Sequence, residues 1–444
     1  MANISIETDR IIGKIKPLHC TVNGPVVNHD DSCSTAPGFR EIGVPYVRLH
    51  DSSSFANYGG EHTVDISGIF PDFEKDPYDP ESYDFYMTDG YIERTLAVGS
   101  RIFYRLGQRI EVKPKKYHVH PPKDFKKWAV VCEHIIRHYN EGWNNGFHYG
   151  IEYFEIWNEP DNRPACWTGT TEQFDDLFEV CAKHLKGLFP HLKIGGPALA
   201  EWSVDNGNLR RFVDEMHRRN VPLDFLSWHT YSRKIDDYTR RAKIVRQVLD
   251  TCGYPHAESI LDEWNYLVNW KDGMAETYRK IISMEGAALV AAAQATMQNA
   301  PVDMMMYYDA RPCGFNGLFR AFTYDKYKAF YSMLFFSELY KRKHQVQCTT
   351  DGADLYAAAA ADGESFAAVL TYYTYEKTAA DKTVSVLLRA PTNAPFDILL
   401  LDETQDAKRV GEGRANTPID LVLKPNSVVL LRDRKEGYSN EEKK

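Results

Sequence analysis

The stretch Ile151-Glu-Tyr-Phe-Glu-Ile-Trp-Asn-Glu-Pro160 opens as an apolar, aromatic-rich run with the character of a β-strand. It ends in Trp157, Asn158, Glu159 and Pro160, where the proline stops further ladder pairing because its nitrogen carries no hydrogen. A carboxylate is thereby fixed at the end of a strand, next to an amide that can hold a hydroxyl. An acid that merely caps the next helix would not need the Trp-Asn-Glu-Pro combination. Glu159 is therefore a catalytic candidate, and the rest of the chain should supply its partner.

Working outward, strand, loop and helix alternate on both sides of this stretch. Before it come strands over Ile15 to Val22, Val44 to Leu49 and Arg101 to Leu106, with a helix over Asp89 to Val98. Phe125, Trp128, Val131, Cys132, Ile135 and Ile136 recur at helical spacing, so Asp124 to Tyr139 is an amphipathic helix. After it come helices over Thr171 to Phe189, Asn208 to Arg219, Ile235 to Thr251, Met274 to Gln298 and Tyr327 to Lys341. Strands over His191 to Gly195, Leu223 to His229, Glu258 to Asp262 and Val302 to Tyr308 lie between them. Thr170-Thr-Glu-Gln173 has the pattern of a capped helix start.

Eight strand–helix repeats in this order predict a (β/α)8 TIM barrel over residues 15–343. No glycine-rich phosphate loop follows an early strand, which argues against a doubly wound open sheet. The loop from Asp51 to about Ser82 is longer than a compact domain needs and is expected to cover a site. Residues 344–435 hold short alternating runs separated by Gly, Pro, Asn and Asp, the pattern of a small accessory antiparallel β-sandwich. Residues 1–14 form an entry strand able to pair with that sandwich, and 436–444 are a charged tail.

Composition narrows the function classes. The 444 residues are 43% hydrophobic and 26% charged, with no apolar run near the roughly 18 residues of a membrane helix. A net charge of −9 with scattered Lys and Arg argues against a nucleic-acid partner. Aromatic residues make up 13%, with 27 Tyr and 8 Trp, a composition that suits carbohydrate binding as well as a large aromatic core. The eight cysteines show no C-x-x-C pairing, and the start Met-Ala-Asn-Ile-Ser-Ile has no apolar signal core, so a cytoplasmic location is expected. A chain trimmed of its leader would read the same. The monomer and the homo-oligomer both stay open.

Barrel enzymes place their chemistry at the C-terminal ends of the strands. Those ends carry Arg48-Leu-His50-Asp51, Asn158-Glu159, Trp228-His229-Thr230-Tyr231, Asp262-Glu263-Trp264-Asn265 and Tyr308-Asp309-Ala310-Arg311. Glycosidic cleavage needs two carboxylates across one pocket, one to protonate the leaving oxygen and one to attack or to activate water. Glu159 and Glu263 can face each other in this way. Arg48 would keep Glu263 charged, and Tyr231 could donate to it. Asp262 is a rival carboxylate, Asp309 and Arg311 can pair with each other, and His229 and Tyr231 can be core residues. His118-Val-His120 lacks a third ligand, so no metal is expected there.

With these residues, the chain resembles the clan A glycoside hydrolases, and most closely family 39, which includes β-xylosidases and α-L-iduronidases. The resemblance rests on Phe154-Glu-Ile-Trp-Asn-Glu-Pro-Asp161, Leu261-Asp-Glu-Trp-Asn265, Phe225-Leu-Ser-Trp-His-Thr-Tyr231 and Val47-Arg-Leu-His50. It implies a retaining mechanism with Glu159 as acid/base and Glu263 as nucleophile, and no cofactor. It also implies that Asn158 binds the substrate hydroxyl beside the anomeric carbon and that His50, His229 and Tyr231 belong to the subsite; Arg48, Asp51, Trp264, Tyr308, Asp309 and Arg311 at the strand ends complete the expected substrate set. The expected substrate is an oligosaccharide or glycoside, cleaved in β-xylosidase-like exo fashion. Strand two ends in His-Asp-Ser and strand eight in Tyr-Tyr-Asp-Ala-Arg, departures from the xylosidase pattern that keep an α-L-arabinofuranosidase or other pentosidase open. A non-catalytic carbohydrate-binding barrel is the alternative of a different class.

Overall fold

The computed structural model describes residues 2–27, 33–50 and 63–434. Eight parallel strands pair in chain order and close into a barrel. They are Cys20–Val22, Tyr46–Leu49, Arg101–Leu106, Tyr153–Ile156, Lys193–Leu199, Phe225–Tyr231, Glu258–Asn265 and Met304–Tyr307, here strands one to eight. Strand eight closes the ring against strand one, Met306 opposite Cys20. The fold class expected from the repeat pattern is the one observed. Asp51 and the first part of the loop it begins lie outside the described residues, as does the charged tail.

The period of two along each strand builds the interior in layers. Cys20, Val22, Tyr46, Phe103, Tyr153, Phe225, Ile260, Met304 and Met306 form one buried apolar cluster. Two residues further along strands two, three, four and seven come Arg48, Arg105, Glu155 and Asp262, each with 0% exposure. A charged layer therefore rests on an aromatic floor, and the open end of the barrel lies above it.

The helical shell follows local signals. Asp124 accepts hydrogen bonds from the backbone of Lys126 and Lys127 to start helix Phe125–Glu141, and Gly142, at φ 75°, ends it. Thr170 and Gln173 form a reciprocal capping box on helix Thr171–Leu188. The segment expected to be one helix from Met274 to Gln298 is two, Met274–Ile281 and Met284–Met297. Ser283 breaks it by accepting from the backbone of Glu285 and capping the second.

The second unit is a nine-stranded, largely antiparallel sheet, hydrogen-bonded continuously and not split into two sheets. The N-terminal strand Ala2–Lys14 runs antiparallel to His344–Thr350 and parallel to Lys382–Arg389. Alternation in Leu355–Asp362 and Ser365–Tyr372 serves two cores. Ala358, Ala360, Ala367 and Val369 join the core shared with the barrel, whereas Ala359, Ala361, Phe366 and Ala368 join the sheet's own. Small residues at 358 and 360 suit a close approach to the alanine-rich helix Met284–Met297.

Candidate active site

Strand four delivers its acid through a strained turn. Trp157 (φ 73°) and Glu159 (φ 45°) both occupy the left-handed region, which a non-glycine residue holds only where its surroundings over-determine it. Here they do. The Trp157 N–H donates to the Leu106 carbonyl, and the Glu159 N–H donates to the Pro197 and Ala198 carbonyls. Strand five supplies those acceptors by bulging after Gly196, whose φ of 131° only glycine tolerates easily.

A second bulge shapes strand seven. Trp228 pairs with Leu261, but the next residue, His229, pairs with Glu263, so Asp262 is skipped in the register. In a regular strand, consecutive carboxylates would point to opposite faces. The bulge turns both inward, and each lies within reach of Arg48: Nε is 2.9 Å from Asp262 Oδ2 and Nη1 is 2.8 Å from Glu263 Oε1. Arg48 also donates to Glu155 Oε2 and Asn158 Oδ1, each at 2.7 Å. One buried guanidinium thus ties strands two, four and seven together. Burial works against its charge, but Glu155, Asp262 and Glu263 hold its pKa above the ordinary arginine value.

Above this arginine the two glutamates approach. One carboxylate oxygen each of Glu159 and Glu263 and a ring nitrogen of His229 all lie within 4.8 Å of one another. His229 Nδ1 is 2.8 Å from Glu159 Oε1 and 3.5 Å from Glu263 Oε2. The Tyr231 hydroxyl donates to Glu263 Oε2 at 2.6 Å. Asn162 Nδ2 donates to Glu159 Oε2 at 2.9 Å. Burial raises the pKa of Glu263, while His229, Arg48 and the Tyr231 hydrogen bond pull it down and Glu159 pushes it up; the net direction is upward. Burial lowers the pKa of His229, which keeps the ring neutral. Asp262 is pushed well above the carboxylate range by burial and by Glu155.

Glu159, His229 and Glu263 have the donor types of a metal site. A divalent cation does not suit them, because Glu263 already gives one oxygen to a guanidinium and the other to a phenol hydrogen.

His50 lies beside the pair, with Nε2 3.7 Å from Glu263 Oε1. Arg105 Nε donates to His50 Nδ1 at 3.2 Å, and arginine has no acceptor, so the ring hydrogen sits on Nε2 and faces Glu263. Asn158, His229 and Tyr231 also gather here, and half-buried Tyr308 borders Tyr231 at 6.2 Å between ring centroids. Trp264 does not join them. It pairs in register with Thr230 on the outward side of strand seven and packs against Tyr238 and Tyr307, with 0% exposure. The substrate contact expected of Trp264 is replaced by a place in the packing between barrel and helices. Asp309 and Arg311 pair with each other, Arg311 Nη2 lying 2.9 Å from Asp309 Oδ2, and Asn23 Nδ2 donates to Asp309 Oδ1 at 2.9 Å. Asp51 lies outside the described residues.

Residues 41–252 match the model of the glycosyl hydrolases family 39. Just under half of the chain, all of it within the barrel, is thus similar to glycoside hydrolase family 39. A β-xylosidase of Geobacillus stearothermophilus is 29% identical over 261 residues, 51% of this chain and 47% of that protein. The chain thus spans about half the length of that relative, and 37% of a second β-xylosidase, from Caldicellulosiruptor saccharolyticus. A solved glucosidase from Croceicoccus marinus shares the fold at a TM-score of 0.80 and 22% identity, covering 98% of this chain and 99% of that one. A solved monomeric β-xylosidase from Caulobacter crescentus does so at 0.69 and 17%, with the same coverages of 98% and 99%.

The sequence picked out Glu159, Glu263, Arg48 and Tyr231 but missed Glu155, which shares Arg48, and Arg105, which sets the His50 tautomer. Both lie mid-strand at inward positions. A charged residue inside an otherwise apolar strand was the signal available.

Proposed function

We propose that this chain is a retaining glycoside hydrolase that removes a terminal β-xyloside-like sugar by double displacement. The observation that carries the proposal is the 4.8 Å limit on the separation of the Glu159 and Glu263 oxygens. Retaining enzymes hold their carboxyl groups about 5–5.5 Å apart, and inverting enzymes need about 6.5–9.5 Å to admit a water. The contacts divide the roles. Glu263 receives Arg48 and Tyr231, both of which favour its ionised form, so it is the nucleophile. Glu159, 12% exposed and in contact with His229 and Asn162, takes the acid/base role that the family resemblance gives it.

In the first step a Glu263 oxygen attacks the anomeric carbon while Glu159 gives its proton to the departing oxygen. A glycosyl ester and an ionised Glu159 remain. In the second step Glu159 takes a proton from water, whose oxygen displaces Glu263 and restores both groups with the anomeric configuration retained. Asn158, fixed through its Oδ1 by Arg48, has its Nδ2 hydrogens left to hold a substrate hydroxyl beside the reacting carbon.

The β-xyloside preference rests on similarity to two β-xylosidases, and exo action on the length of the loop that begins at Asp51 after strand two. The test is a panel of aryl xylosides, arabinofuranosides and glucosides with Glu159→Ala and Glu263→Ala. Both variants should lose turnover, and azide should restore activity to the Glu159 variant on substrates with good leaving groups, giving a glycosyl azide of unchanged anomeric configuration. Near wild-type turnover in both variants would rule the mechanism out.

A further inference from the structure

Strand five is followed by a short helix, Glu201–Asn206, whose first residue has no part in the chemistry above. Asp161, two residues after Glu159, anchors this helix by accepting from the Ala200 N–H at 3.2 Å and the Ser203 hydroxyl at 2.5 Å. Glu201 is therefore tied to the turn that carries Glu159, and its charge acts on both Glu159 and His229.

The Glu201 carboxyl group is 7% exposed as a residue and only half satisfied. Oε1 accepts from Trp270 Nε1 at 2.6 Å, while Oε2 is buried with no hydrogen-bond partner. Arg241, which also acts on Glu201, is engaged by Asp205 through Nε and Nη2, its Nη1 being buried without a hydrogen-bond partner and making no hydrogen bond to Oε2. Leaving a buried acceptor unsatisfied costs about 1–3 kcal/mol, and more for a charged one, so this oxygen is placed for a donor from outside the chain.

Trp270, on the loop after strand seven, is 45% exposed. Its ring meets Tyr231 edge-on with centroids 5.1 Å apart and lies 6.0 Å from Phe315. Tyr231 is the residue that donates to Glu263. A buried accepting oxygen and a part-exposed aromatic ring thus stand side by side, joined by the Trp270 Nε1 hydrogen bond, one linked to Glu159 and the other to Glu263. Sugars offer the matching pair of features, hydroxyl donors around the ring and an apolar C–H face.

We propose that Glu201 and Trp270 form a sugar-recognition subsite, in which Glu201 Oε2 accepts one hydroxyl of the glycoside and the Trp270 indole stacks on the sugar ring. This rests on the glycosidase reading and adds the residues that set which sugar is held.

The probes are D-xylose, L-arabinose, D-glucose and their monodeoxy derivatives, titrated calorimetrically into the wild-type 444-residue chain and Glu201→Gln. Glutamine keeps an acceptor for Trp270 but puts an amide donor where Oε2 lies. A site built to hydrogen-bond a hydroxyl rejects a mismatched partner strongly. We expect the best-bound sugar to lose about tenfold or more in affinity with the variant. The one deoxy sugar that lacks the accepted hydroxyl should bind both proteins within about twofold. A purely structural role for Glu201 would not produce that single exception. If Glu201→Gln does not fold, Trp270→Ala at its exposed position replaces it, with a loss of about tenfold expected from the missing platform.

Equal affinities for every sugar, an equal loss across all the deoxy sugars, or a wild-type chain that binds none of them would each overturn the subsite. A wild-type chain that binds sugar as described but cleaves no glycoside would defeat the glycosidase reading alone. Hydrolysis with unchanged sugar binding in Glu201→Gln would defeat the subsite alone.

Discussion

Arg48→Met is the substitution that most severely tests the internal logic of the site. The side chain is 0% exposed and makes contacts of 2.7–2.9 Å with Glu155, Asn158, Asp262 and Glu263. Methionine fills most of the volume without the charge. Removing one partner of a buried ion pair costs about 3–5 kcal/mol, because the carboxylates left behind must take up protons or stay unpaired. At the reacting group, a charge-assisted hydrogen bond is worth about 1.5–3 kcal/mol, which converts to roughly a 10- to 150-fold loss in kcat/KM.

The pH profile carries the sign. Arg48 favours ionised Glu263, so its removal raises the carboxyl pKa further, and the acid limb of kcat/KM should move to higher pH. Activity would then fall most at low pH and recover in part as pH rises. Arg48→Lys keeps the charge without the fork and should fall between the two. The assay is kcat/KM on an aryl glycoside across pH, with thermal midpoints measured alongside. An acid limb that stays in place, with kcat/KM within about twofold of wild type, would refute the link between Arg48 and the nucleophile.

Two further outcomes follow from individual contacts. Tyr231→Phe removes the 2.6 Å hydrogen bond to Glu263 and should lower kcat/KM by roughly 10- to 150-fold with little change in thermal midpoint, read by steady-state kinetics and a melt. Asp161 is pushed up from 3.8 to about 7 by burial first and then by Glu159, so the folded state holds its proton where the unfolded chain has released it. Its contribution to stability is present in full below the unfolded pKa and is lost as pH rises toward 7, and Asp161→Asn should flatten the fall in thermal midpoint over that window.

Much of this architecture is written in the sequence where side chains repeat with a single period. Arg101–Leu106 and Ile235–Thr251 match their expected bounds because each carries an unbroken strand or helix pattern between clear stops. The catalytic candidates were legible for another reason: Glu159 and Glu263 are acids at strand ends, where packing does not call for them. What escaped depends on irregular backbone. The bulge that turns both Asp262 and Glu263 inward leaves no mark in composition, and the same skipped residue sends Trp264 outward into the packing.

Other misses have equally local causes. Strand Lys408–Arg414 lies at the sheet edge and is charged and largely exposed, so it shows no apolar alternation. Strand His344–Thr350 is polar because Gln345 serves a buried hydrogen-bond network with Gln298 and Asn299. Glu201 sits in a six-residue helix, too short to produce a periodic signal, and its pairing with Trp270 spans 69 positions of chain.

The role of Glu263 is reached most directly by trapping. A 2-deoxy-2-fluoro xyloside with a dinitrophenyl leaving group slows the second displacement more than the activated first step, so a glycosyl ester should accumulate. Peptide mass spectrometry after proteolysis should then find one fluorosugar per chain, attached to Glu263. A label on Asp262 or Glu159, or no label together with an inverted anomeric product by NMR, would contradict the assignment.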